Sequence, residues 1–267
     1  MKKNIRKNMR VLKELFYLRL HGLMVFRFDF FAPFLIDGSL FLMQILAFGI
    51  VYRNVETVGD WEMGEMVIYI GTFSLLNALS MTFCFFGVST IPYKVRSGEL
   101  DLYLTKPVSP LFRLTFENIS PGSFLLVFTS IGIILYGVGL ADVRLTAGRT
   151  ASYIFWLLVM AVLYYDMEVL FRCVSLYTVS MARMEQVEDA CLDLCMKLPG
   201  MAFHGVYKVI FYFFLPYGIM ATLPVQSMAG KLSLQAAGYG TGVVLCFSLL
   251  TAVVWKRGLT HYNSASS

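Results

Sequence analysis

Six apolar runs, near 31–52, 66–91, 120–140, 151–172, 206–228 and 234–255, alternate with polar segments along the chain. About 20 residues at about 1.5 Å each cross the hydrocarbon of a bilayer, and each run is close to that length. The pattern predicts an all-α polytopic membrane protein with six transmembrane helices, organised as one domain over residues 1–267. Residues 4–28 are patterned differently. Ile5, Met9, Leu12, Phe16, Leu20 and Leu23 recur at steps of three and four, while Lys3, Arg6, Lys7, Arg10, Lys13, Glu14 and Tyr17 take the opposite face. That spacing predicts an amphipathic helix within residues 1–30, lying in the headgroup layer with anionic lipid drawn to its basic side.

A second amphipathic stretch covers 182–198. Met184, Val187, Cys191, Leu194 and Leu198 form its stripe, Glu185, Glu188, Asp189 and Asp193 lie off it, and Pro199-Gly200 end it. It reads as a cytoplasmic segment over 182–203, a solvated extension of the fourth span. The fifth run is interrupted by Pro216 and Pro224. Each proline removes a backbone donor, so a kinked span or a re-entrant element is expected, with both prolines at the kink or gate.

Charge sets the orientation. Lys and Arg gather in the N-terminal arm, in 92–119, in 172–205 and at Lys256-Arg257, whereas 53–65, 141–150 and 229–233 hold only Arg53, Arg144, Arg149 and Lys231. The excess of Lys and Arg on cytoplasmic loops then places both termini in the cytoplasm. With 58% hydrophobic and 15% charged residues, the chain is unlike a soluble domain, which has about 25% charged residues. No small-residue cleavage site follows the first apolar run, so that run is expected to stay in the protein.

Chemistry is sparse. No Gly-x-x-x-x-Gly-Lys-Ser/Thr loop, Gly-x-Ser-x-Gly elbow or His-Glu-x-x-His pair occurs, and His21, His204 and His261 are scattered. Cys84, Cys173, Cys191, Cys195 and Cys246 show no zinc spacing and no disulfide framework. No metal, catalytic residue or nucleic-acid partner is expected. Ionisable and polar residues within spans are the functional candidates. Asp37 lies near the start of the first span, and Glu168 and Arg172 are spaced for an intrahelical ion pair. Asp166, Asn77 and Gln44 are candidates for a polar path; Asp166 suits a water-exposed inner boundary as well, and hydrogen bonding between helices is the use first expected of Gln44 and Asn77. Gly71–Ser80 and Gly132–Gly139 offer small-residue faces for helix association.

The most informative segment is Ile91–Pro110, which carries Arg96, Gly98-Glu99-Leu100-Asp101, Leu104 and Lys106-Pro107-Val108-Ser109-Pro110 between two long apolar runs. Leu100 and Leu104 are four apart and suit an apolar knob ringed by Arg96, Glu99, Asp101 and Lys106. This pattern resembles the cytoplasmic loop of bacterial ABC-2-type permeases. A later stretch is similar to the same family: Pro199, Tyr207–Pro216, Leu223-Pro224-Val225 and Gly230-Lys231-Leu232-Ser233. The layout also resembles that family: a basic elbow helix, then six spans. The resemblance implies an export permease of the bacterial plasma membrane, paired with a second related permease and driven by a separate ABC ATPase. ATP and Mg would be bound by that ATPase, and no cofactor by this chain. Arg96, Gly98, Glu99, Leu100, Asp101, Leu104, Lys106 and Pro107, within a coupling loop at 92–117, would receive the push of the ATPase. A membrane-embedded enzyme acting on lipid, or a non-transporting immunity or scaffold protein of the same fold, is the alternative. Substrate identity is left open.

Overall fold

The computed structural model describes residues 27–262 except 59–60, 142, 144 and 178–181. The amphipathic helix expected at 4–28 therefore lies outside the described residues. Among those residues the chain is helical, with one isolated bridge between Val58 and Trp61. Helix α1 is Arg27–Val51 and α2 is Met63–Phe83. Four short helices follow: α3 Phe85–Val88, α4 Ile91–Ser97, α5 Asp101–Leu104 and α6 Pro110–Glu117. Then come α7 Phe124–Leu140 and α8 Ala147–Cys173. Next are α9 Ala182–Lys197 and α10 Gly205–Val209, which widens into a π-helical turn over Ile210–Phe214. The last three are α11 Tyr217–Met220, α12 Thr222–Ala229 and α13 Leu234–His261.

Among the described residues five single helices are long and apolar enough to cross a membrane, and a sixth crossing exists if 205–214 and 217–229 are taken as one bent pair. The two halves of that pair meet at 76°. The break has a local cause. Pro216 supplies no N–H, the chain turns between Leu215 and Tyr217, and α11 starts afresh after it. Pro224 does not bend the chain. It occupies the third position of α12, where a missing N–H costs no intrahelical bond.

α2 is the centre of the bundle. It crosses α7 at very short range because Gly64, Gly71 and Gly137 present no side chain there. A Cβ on Gly64 would strike the Ala141 backbone, and one on Gly137 would lie 2.7 Å from the Ile68 nitrogen. The hydroxyls of Ser74 and Ser130 bond across the same crossing at 2.6 Å. Small residues of this kind let membrane helices approach and bond where lipid gives no hydrophobic drive. Gly132 and Gly139 take no part, since both face open space. Tyr69, Phe73, Tyr164, Trp156 and Met220 fill the core around α2 and α8.

The bundle has two distinct ends. At one, Glu65 pairs with Lys231 at 2.6 Å, and Gly230 packs on the Arg149 guanidinium. Ala141, Val143 and Ala229 converge there with Glu62, Glu65, Arg149 and Lys231 around a polar cavity of about 340 Å³. At the other, α3–α6 pack against Val169, Cys173 and Leu176 and against Trp255 of α13.

Helix α9 departs from the sequence expectation of a solvated extension. Glu188 and Cys195 are buried, and the Tyr69 hydroxyl of α2 donates to the Cys195 carbonyl at 2.5 Å and to the Leu198 carbonyl at 3.3 Å. α9 thus runs back along α8 from the Trp255 end toward the Glu65 end. Its charged face drew the solvated reading, and Asp189 and Asp193 are indeed exposed, but Glu188 turns inward to the buried Arg172.

Candidate functional site

Two places concentrate polar chemistry. The first is the folded segment 91–117. Pro92 and Pro110 open α4 and α6 in the first helical turn, where a proline is favourable. Gly98 ends α4 with φ 74°, a left-handed conformation that a Cβ disfavours. Lys94 is buried, bonds the Tyr103 hydroxyl, and reaches Glu117 at 3.3 Å. The Tyr103 hydroxyl in turn donates to Glu117 at 2.5 Å, and the Arg113 guanidinium lies 4.9 Å from the Tyr103 ring centre. Burial and then the Glu117 carboxylate push the Tyr103 phenol well above its ordinary range, so it stays a donor. The network clamps α4, α5 and α6 into one unit.

The expected coupling residues divide between the two faces of this unit. Leu100 is fully buried with Val88, Ile91, Leu114 and Trp255, so it does not form the exposed knob with Leu104 that their spacing suggested. The four-residue α5 is too short to carry a 3.6-residue stripe, and Gly98 turns the chain just before it. Leu104, Arg96, Lys106 and Pro107 are exposed, and Glu99 is half-buried. Asp101 faces the end of α13, where burial and then this carboxylate raise the Tyr262 phenol. Tyr93 and Leu102, both more than half exposed, complete the outer apolar face; sequence reasoning missed them because it assigned the apolar face to the i, i+4 pair Leu100 and Leu104.

The second place is a cavity of about 520 Å³ between α1, α2 and α9. Asp37, Gln44, Asn77, Asp193 and Lys197 provide its polar lining, and Phe41, Phe48 and Met196 are among its apolar wall. Gln44 donates to the Met196 carbonyl, tying α1 to α9. Asn77 accepts from the Tyr164 hydroxyl at 3.1 Å. Gln44 and Asn77 are therefore brought together, each holding a helix contact beside the open space. Asp166 is elsewhere: the Ser248 hydroxyl donates to its carboxylate, and Thr251 lies at 3.4 Å from its carbonyl, so it joins α8 to α13. Asp193 and Lys197 were missed because α9 reads as solvated.

A buried ion cluster joins α8 to α9. Arg172 is 3.2 Å from Glu168 and also bonds Glu188. The Glu168–Arg172 pair follows from their spacing, while Glu188 arrives from another helix. Pro216 and Pro224 are buried, the first at the 76° bend and the second inside α12. Among the described residues no group of His, Cys, Asp and Glu is arranged to hold a metal ion.

A bundle of apolar helices long enough to cross a membrane, with a cavity between three of them and a clamped, charged turn at one end, has the build of a multi-pass membrane protein. The model of the ABC-2 family transporter proteins matches residues 39–266, most of the chain, and the chain belongs to that family. No curated protein and no solved structure matches it. Family membership makes the chain a membrane component of a transporter, a role that is not generally catalytic in itself.

Proposed function

We propose that this chain is the permease subunit of an ATP-driven exporter in the bacterial cytoplasmic membrane, with both termini and the Trp255 end in the cytoplasm. A separate ABC ATPase, which holds the ATP and Mg, docks on the outer face of 91–110. A second, related permease covers α1, making a heterodimer, and the cavity between α1, α2 and α9 is part of the path. The observation that carries this reading is the two-sided build of 91–117. Its outer side offers Tyr93, Leu102 and Leu104 beside Arg96 and Lys106, while Lys94 ties the unit together internally and Leu100 and Tyr103 seat its inner side on α8 and α13. A rigid unit seated on two spans passes a push from a soluble motor into the bundle, which a floppy loop does not.

Co-purification tests it. The tagged chain, isolated from its native host, is expected to bring down an ABC ATPase and a second permease. Leu102→Glu should cut ATPase recovery about tenfold or more while leaving the permease folded, as for an anchor residue at an interface. Leu100→Ala should instead lower the yield of folded permease. Full ATPase recovery with Leu102→Glu would remove the docking face from 91–110.

A further inference from the structure

We propose that the cavity between α1, α2 and α9 binds a lipophilic cation, with Asp37 as its counter-charge. This rests on reading the cavity as the transport path, and it adds the class of cargo. Asp37 stands 14 residues before the end of α1, which puts it about 21 Å along the helix from the Glu65 end, at helical rise. Asn77, 14 residues into α2, is at the same level. The carboxylate is half-buried, three residues inside the apolar window that starts at Phe34, where an ionisable side chain marks a ligand or ion pathway. Among the described residues no hydrogen bond or ion pair to Asp37 is found.

The other charges of the wall cancel. Lys197 pairs with Asp193 at 2.6 Å, one turn apart on α9, which leaves Asp37 as the net charge of the space. Donors for an anion are few: a Gln44 amide N–H is committed to Met196 and the Lys197 ammonium to Asp193, which leaves the Asn77 amide N–H. The apolar wall suits a cation with bulky hydrophobic groups, since ring faces such as those of Phe41 and Phe48 attract cations and the Met43 and Met196 thioethers adapt to shape. A volume of about 520 Å³ accommodates a drug-sized ligand.

The test uses a pair of probes of one shape and opposite charge. The full-length chain in phosphatidylcholine nanodiscs is titrated with tetraphenylphosphonium and with tetraphenylborate, and empty nanodiscs give the background. Saturable binding is expected for the cation and not for the anion. Asp37→Asn should weaken the cation about tenfold or more, the scale of about 1.4 kcal/mol. Asp37→Glu should restore most of it, and Lys197→Gln, which frees Asp193, should strengthen it. A Met43→Cys variant, labelled by a thiol dye, reports occupancy of the cavity. Equal affinity of Asp37→Asn and the native chain for the cation would overturn the proposal. So would protection of Met43→Cys by the anion, which would leave the path reading standing. Failure of both probes to protect it would overturn the proposal and the path reading together.

Discussion

Helices α1 and α2 are neighbours of similar length and opposite fate. The apolar window of α1 is the more hydrophobic of the two, yet 6% of it is buried against 78% for α2. In water that order would be inverted. In lipid the surroundings are as apolar as a leucine, so burial follows packing and hydrogen bonding instead. α2 brings Gly64, Gly71, Ser74 and Tyr69 to its contacts, while α1 turns Leu35, Leu42, Leu46 and Ile50 outward. The lesson is that α2 is scaffold and α1 is a wall: one side meets the cavity, the other is left for lipid or a second subunit.

Substitutions of rising delicacy probe this contrast. The largest effect is expected for Gly64→Leu, because the added side chain meets the Ala141 backbone, which has no rotamer with which to yield. The cost should reach or exceed about 3 kcal/mol, the upper range for overpacking, and thermal unfolding in detergent should show little folded protein. Gly38→Leu on α1 meets nothing within 4 Å and should leave the melting temperature unchanged or raised. Equal damage from both would erase the contrast.

Tyr69→Phe comes next. It leaves the Cys195 and Leu198 carbonyls without their donor inside the bundle and should destabilise by about 1–3 kcal/mol. The same variant should speed proteolysis in 182–203, since α9 loses its tie to α2; an unchanged cleavage rate would mean that α9 is held by other contacts. Ser74→Ala removes one interhelical hydrogen bond and should cost about 0.6 kcal/mol, the average for such bonds in membranes. The smallest effect is expected for Leu42→Ala on the open face of α1, within about 0.5 kcal/mol of the native chain when the permease is alone. Measured in the native complex, a larger loss there would report the second subunit.

Much of this architecture is legible in the chain. Apolar run lengths locate the spans, Glu168 and Arg172 announce their pairing by spacing, and the small residues of 71–80 mark a close crossing. What is not legible depends on distant partners. Glu188 reads as a solvent-facing acid until Arg172, 16 residues away in sequence, is seen to receive it. Asp166 reads as a path residue until Ser248 is found beside it. Leu100 and Leu104 read as one knob because spacing assumes a continuous helix, whereas α5 is a single turn. In the 206–228 run Pro216 announces the break, whereas nothing in the apolar content announces the wide turn at 210–214 or shows that Pro224 sits unbent in the first turn of α12.

Cysteine accessibility tests the central contrast most directly. In a background with the five native cysteines replaced, single cysteines are placed at Gln44 on α1 and at Phe73 on α2, and intact proteoliposomes are treated with a small hydrophilic thiol reagent that enters from both sides. Gln44→Cys should react, because it lines the cavity, and Phe73→Cys should stay unmodified, because that position is packed in the core. Reaction at Phe73→Cys with protection at Gln44→Cys would contradict the account, making α2 the wall and α1 the scaffold.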